Sequence, residues 1–143
     1  MSTATVTNRS VLERHEIDPG GIEHLDMEVR IISGKPQRQG DVLVVPCAPR
    51  SGGAVIPKAG ITVVRGESTG GNAHILHNLE GKCSWEPQAN SADGLLQGWL
   101  GVPVGSSATL IHTQEHGVLG IGPGCYEIRG QRELAGEWRR VAD

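Results

Sequence analysis

The side chains in this 143-residue chain best suited to chemistry are its six histidines: His15, His24, His74, His77, His112 and His116. Neutral imidazole nitrogen is a good ligand for borderline metals such as Zn, Fe, Mn and Ni, and a carboxylate can complete the set. Spacing decides which of the six belong together. In the run Ala108-Thr109-Leu110-Ile111-His112, strand alternation puts Ala108, Leu110 and His112 on one face. In Ala73-His74-Ile75-Leu76-His77 the same rule groups His74 with Leu76 and turns His77 the other way. His74 and His112 are therefore expected to project into one interior, with Glu115 and His116 arriving from the turn beyond. These four form a candidate metal site of the kind cupin-like domains build on adjacent strands. The competing reading makes them hydrogen-bonded rim residues. Gln114-Glu115-His116-Gly117 reads as a turn, where polar side chains are ordinary, and the chain lacks a tight His-x-His element.

Other chemistry is thinner. Cys125 beside Tyr126 would need His112 or His116 nearby to act as a Cys/His nucleophile, and a free Cys is more commonly a buried small hydrophobe. Gly120-Ile121-Gly122-Pro123-Gly124 superficially resembles a phosphate loop, but no helix follows to supply the N–H cradle. It reads as a corner instead, with Gly124 at the positive-φ position of a type II turn. Arg129, Arg132 and Glu133 read as a solvated, salt-bridged face.

The elements that must position these residues are short and β-like. Strands are expected at 41–45, 61–65, 73–79, within 95–104, at 108–113 and at 125–129, the last two as the closing hairpin. Loops are expected at 47–60 and 81–94, the second carrying Trp85. Turn signals at intervals of about 8–15 residues indicate an all-β fold, a small sandwich or partly open barrel. Residues 37–143 form the compact β domain. Residues 1–36 read as an extended N-terminal arm: Ser10-Val11-Leu12-Glu13 fits a capping box for a short helix, Asp18-Pro19-Gly20-Gly21 breaks it, and 27–32 is an edge strand. A short tail helix is expected at 133–141.

Composition narrows the classes. There are 21 Gly, three Trp, one Tyr and no Phe, so the core must come from Val, Ile, Leu and Ala. An aromatic-poor, glycine-rich core points to stability shared through self-association or a larger protein assembly. The net charge is −3, with acidic and basic residues interspersed, which argues against nucleic-acid binding. No segment has the run of about 18 apolar residues that a membrane helix needs, and the N-terminus lacks a signal-peptide core. Three widely spaced cysteines, Cys47, Cys83 and Cys125, suit a reducing cytoplasm better than a disulfide framework.

Gln39-Gly40-Asp41-Val42-Leu43, Gly66-Glu67-Ser68-Thr69-Gly70 with His74, then His112, Glu115-His116-Gly117, Pro123-Gly124-Cys125-Tyr126-Glu127-Ile128-Arg129 and Gln131-Arg132-Glu133 occur in that order. The series resembles a group of small bacterial and phage-encoded proteins with no established activity, over about residues 38–143. Its pattern is QGDV, then G-E-x-T-G-H-x-H, H-x-E-H, P-G-x-Y-x-V and Q-R-E-Y. Two departures stand out: this chain keeps one His after Gly71-Asn72-Ala73, and Leu134 replaces the final Tyr. The resemblance implies a compact β fold, and loss of a histidine implies a weakened metal site. The resulting expectation is a non-enzymatic structural or assembly protein without a cofactor, such as a phage capsid-decoration or head-tail protein, placed in the virion if phage-encoded. The alternative is a cupin-like metal-binding β domain using His74, His112, Glu115 and His116.

Overall fold

The computed structural model describes residues 6–18, 25–50, 52–64, 73–88, 95–112 and 117–130. The chain folds as a β-sandwich of two packed sheets. Helix α1 (Asn8–Arg14) precedes strands β1 (Ile31–Ile32), β2 (Gln37–Gln39), β3 (Val42–Pro46), β4 (Ala54–Val55), β5 (Ile61–Val64), β6 (His74–Glu80), β7 (Ser84–Pro87), β8 (Leu96–Val102), β9 (Ser107–His112), β10 (Gly117–Ile121) and β11 (Gly124–Gly130). The first sheet runs β1-β10-β9-β6-β5 and the second β2-β3-β11-β8-β7-β4. Every neighbouring pair is antiparallel except β1 and β10.

Alternation puts Leu76, Ala108, Leu110 and Ile121 of the first sheet against Val42, Val44, Leu100, Val102, Tyr126 and Ile128 of the second. Trp85 joins this core at 5% exposure from β7, so the segment read as a loop carrying Trp85 contains a strand. Its polar partners Ser84 and Glu86 face outward, and four residues are too few for periodicity to stand out. Strand β10, Gly-Val-Leu-Gly-Ile, was hidden for a related reason: its glycines looked like a turn. At Gly120 the backbone of Arg30 approaches so closely that a Cβ would lie 2.6 Å from the Arg30 carbonyl. Glycine is needed there so that β1 can pair with β10.

This strand also changes the connectivity expected of the closing hairpin. Strand β9 pairs with β10 and β6 in the first sheet, whereas β11 lies between β3 and β8 in the second. The corner at Gly122-Pro123 thus carries the chain from one sheet to the other. Tyr126, the only tyrosine, secures it. Its fully buried hydroxyl donates to the Gly122 carbonyl at 2.8 Å and accepts from the Gly34 N–H at 2.9 Å. Tyr126→Phe is expected to cost about 1–3 kcal/mol by stranding these groups, read as a lower urea midpoint with an unchanged slope.

The N-terminal arm lies on the outer face of the first sheet. Helix α1 starts earlier than the Ser10 capping box implied. Thr7 is the N-cap, its side chain accepting from Ser10 N–H, while the Ser10 hydroxyl accepts from the Thr7 N–H. Val11 and Leu12, with Val29, pack on Leu79 and Ile111, the outward residues of β6 and β9, as a second apolar cluster. Of the strand expected over 27–32, only Ile31 and Ile32 form one, with Glu28 bridging to Thr7. The loop expected over 47–60 holds one two-residue edge strand, β4. The expected tail helix at 133–141 lies outside the described residues.

Candidate functional site

Two strands that are neighbours in space but not in sequence build the site. In the β6–β9 register Ile75 lies opposite Ile111, and the next positions along are His74 and His112. Their side chains turn into the sandwich on the face shared with Leu76 and Leu110, as alternation predicted. The rings stack, with centroids 4.1 Å apart and planes inclined by 14°. Both are buried, at 2% and 5% exposure. Two imidazolium charges stacked this closely and away from water would repel strongly, so the packing favours at least one neutral ring.

Gln39 fixes the proton on His74. The side chain enters from β2 in the opposite sheet and is itself buried. Its amide nitrogen donates to the carbonyls of Leu110 at 2.9 Å and Gly117 at 3.1 Å. That pair of acceptors sets the amide orientation, because a flipped amide would put oxygen against oxygen. The Gln39 Oε1 therefore faces His74 Nδ1 at 2.8 Å, and Nδ1 must be the protonated nitrogen that donates to it. Nε2 faces the other way, with the Asp41 carboxylate 3.9 Å from it. Gln39 and Asp41 flank Gly40 in the two-residue turn between β2 and β3. Gly40 adopts φ 62°, a left-handed position that glycine takes without steric cost.

The arrangement offers an oriented imidazole whose Nε2 is directed toward a solvent-exposed carboxylate, beside a second buried imidazole. That equipment suits a metal ligand or a proton acceptor. Among the expected site residues, His74 and His112 are brought together, while Glu115 and His116 lie outside the described residues. His24 lies outside them too. Among the described residues no group of three or more His, Cys, Asp and Glu side chains forms a metal cage. Sequence reasoning missed Gln39 and Asp41 as site members. The only signal was their place in the Gln-Gly-Asp-Val motif, which gives no hint that the turn faces β6.

The remaining histidines pair elsewhere. His77 points to the outer face, also as alternation predicted, and stacks on His15 at the C-terminal end of α1 with centroids 4.2 Å apart and a 24° tilt. Cys125 faces outward on the second sheet, between the core residues Tyr126 and the corner, so it is separated from His112 by the sandwich. The phosphate-loop motif becomes the end of β10 and the inter-sheet corner, and Arg129 pairs with Glu127 at 3.0 Å.

No described helix is long and apolar enough to cross a membrane. No curated protein and no solved structure matches the chain significantly. Residues 38–131 match the model of a family described as a domain of unknown function, DUF8820. That span begins one residue before Gln39 and takes in Asp41, His74, His112 and every strand except β1 and the first residue of β2. The chain therefore belongs to the DUF8820 family of domains of unknown function.

Proposed function

We propose that this protein is a metal-binding β-sandwich domain whose ligand site is the His74–His112 end of the sandwich. The observation that carries the reading is the Gln39–His74 contact. A buried amide spends both its N–H groups on backbone carbonyls so that its oxygen can hold one imidazole tautomer. A hydrogen-bond acceptor on the far nitrogen of a metal-bound histidine orients the ring and raises its basicity. His74 and His112 would supply nitrogen, and Asp41, Glu115 and His116 the remaining donors, a set that suits a divalent transition metal such as Zn. Titration of the full chain with Zn²⁺, Mn²⁺, Fe²⁺ and Ni²⁺, followed by calorimetry and elemental analysis, tests it. Saturable one-to-one binding abolished by His112→Ala, and weakened by about 10–100-fold in Gln39→Leu, is the expected outcome. Absence of saturable binding by any of the four metals would overturn the reading.

The second reading is a non-enzymatic assembly protein, including a phage virion component, whose partner is a further copy of the chain. It is favoured by the exposed apolar side chains of Val55 on edge strand β4, of Met27 and of Val104. Concentration-dependent sedimentation that is lost in Val55→Lys supports it, and a single monomeric species at all concentrations removes it.

A further inference from the structure

Outside the histidine site, the second sheet carries two cysteines that are 78 positions apart in sequence and adjacent in space. Cys47 directly follows β3 and Cys125 lies in β11, and the β3–β11 register, which sets Pro46 opposite Tyr126, continues to set Cys47 opposite Cys125. The Cys47 N–H donates to the Cys125 carbonyl at 2.9 Å, so the two residues occupy a hydrogen-bonded cross-strand position. Pro46, which has no N–H, falls correctly on the neighbouring non-bonded position. Both cysteines sit on the outer face, partly exposed, on the side opposite Tyr126 and Ile128. Cys125 also lines a shallow surface cleft with Arg50, Ser84, Glu86 and Trp99.

We propose that Cys47 and Cys125 form a reversible cross-strand disulfide, making this face of the protein a site of oxidative modification by hydroperoxides. The geometry permits the bond. Residues in hydrogen-bonded antiparallel pairs have Cα atoms about 5.5 Å apart, inside the range a disulfide spans. Their Cβ atoms lie about 5 Å apart, wider than the roughly 3.8 Å a relaxed disulfide prefers, so the closed bond is strained and readily reduced. That is the character of a regulatory bond rather than a structural staple.

Cys125, on the cleft, meets the oxidant first. Its sulfur attacks the terminal oxygen of the hydroperoxide, the O–O bond breaks, and the thiol proton leaves with the departing oxygen as water or alcohol. Cys125 is then a sulfenic acid. The Cys47 sulfur attacks the Cys125 sulfur, the S–O bond breaks, and hydroxide leaves with the Cys47 proton as water. Two thiols are oxidised by two electrons and one peroxide is reduced. Cys47 suits the second role: desolvation, with Glu127 and Cys125 adding to it, holds its thiol up, while Arg50 acts in the opposite sense. Cys83 is the internal control, fully buried, its Sγ directed at the Ser107 carbonyl and its thiol pushed up to about 11 by burial.

The test is brief exposure of the native full chain to hydrogen peroxide, alkylation, and peptide mass spectrometry. The expected result is loss of two of the three alkylatable thiols, a Cys47–Cys125 linked peptide within one chain, and full return on adding dithiothreitol. Cys47→Ser should halt at a Cys125 sulfenic acid that dimedone traps, and Cys125→Ser should leave Cys47 reduced over the same interval. Wild-type protein that keeps both thiols, links only between chains, or runs on to sulfinic acid at Cys125 without the linked peptide would overturn the proposal.

Discussion

Gln39→Ala is expected to destabilise the fold by about 2–4 kcal/mol, far more than a strand-end glutamine would ordinarily cost. The residue is 3% exposed and is the bridge between the two sheets at the histidine end. Its loss strands the Nδ1–H of His74 and removes an acceptor-matched donor from both Leu110 O and Gly117 O. Each buried group left unsatisfied costs about 1–3 kcal/mol, and the missing side chain leaves a void as well. Urea unfolding followed through tryptophan fluorescence measures the effect. Gln39→Glu adds a sharper comparison. A carboxylate keeps an acceptor for His74 but faces two carbonyls with no N–H to offer them, so it should be nearly as costly at neutral pH and recover partly on acidification, when the protonated form can donate once. A loss below about 0.5 kcal/mol for Gln39→Ala would place it with ordinary surface substitutions and remove the amide from its role in holding His74.

The second large effect is a loss of stability in mild acid, centred on the other stacked pair. His77 is 4% exposed under the arm, and His15 lies against it. Among the described residues, His15 Nε2, His77 Nδ1 and the nearby Thr109 Oγ1 have no hydrogen-bond partner. Gly60 packs so closely that a Cβ there would approach His77 Cε1 to 2.5 Å. Burial, with the like charge of His15 next, lowers the His77 pKa from 6.5 to about 4, against a small opposing effect of the Lys58 backbone. Burial and then Arg14 lower that of His15, with Arg14 itself held by Glu80 at 3.1 Å.

Both folded-state values lie below the unfolded one, so the folded chain resists protonation that the unfolded chain accepts. For His77 the stability is fully present above about pH 6.5 and is lost as the pH falls toward 4, by up to about 1.4 kcal/mol per pH unit, and His15 acts in the same direction. His77 alone accounts for about 3 kcal/mol across that window. The expected readout is a falling urea midpoint between pH 6.5 and 5, above the range in which ordinary carboxylates titrate. Earlier proteolysis of the segment before β1 should accompany it, because the stack lies between the arm and the sheet. His77→Gln should flatten the slope over this interval. A wild-type profile that is level from pH 6.5 to 5 would show that the pair is not held neutral by the fold.

The two histidine pairs also show how far residue order reaches. Alternation along 73–77 and 108–112 was enough to put His74 and His112 on one interior face and to turn His77 away, because strand side chains alternate regardless of what the strand packs against. The all-β class followed from short apolar runs and dense turn signals, which left a sandwich and a partly open barrel as alternatives, and the packing of two separate sheets decided for the sandwich. Three things depended on packing alone. Strand β10 was invisible because glycines that look like turn residues are there to let the Arg30 backbone approach. Strand β7 was invisible because four residues carry too little period to detect. Gln39 was invisible as a site residue because a motif in sequence says nothing about which strand it will face.

What the sequence determined by itself was therefore local: the strands with strong alternation, the faces of their histidines, and a short arm helix near Val11 and Leu12. Those properties come from backbone geometry and the hydrophobic period, which act over a few residues. The tertiary structure alone decided which strands became neighbours. It set β9 between β6 and β10 so that His74 and His112 could stack, and it brought Gln39 across from the other sheet to fix a proton. It also laid α1 over His77 and aligned Cys47 with Cys125 across β3 and β11. Each of these is a contact between residues tens of positions apart, fixed by sheet order and register, and register is settled only when the buried faces of all the strands are satisfied together.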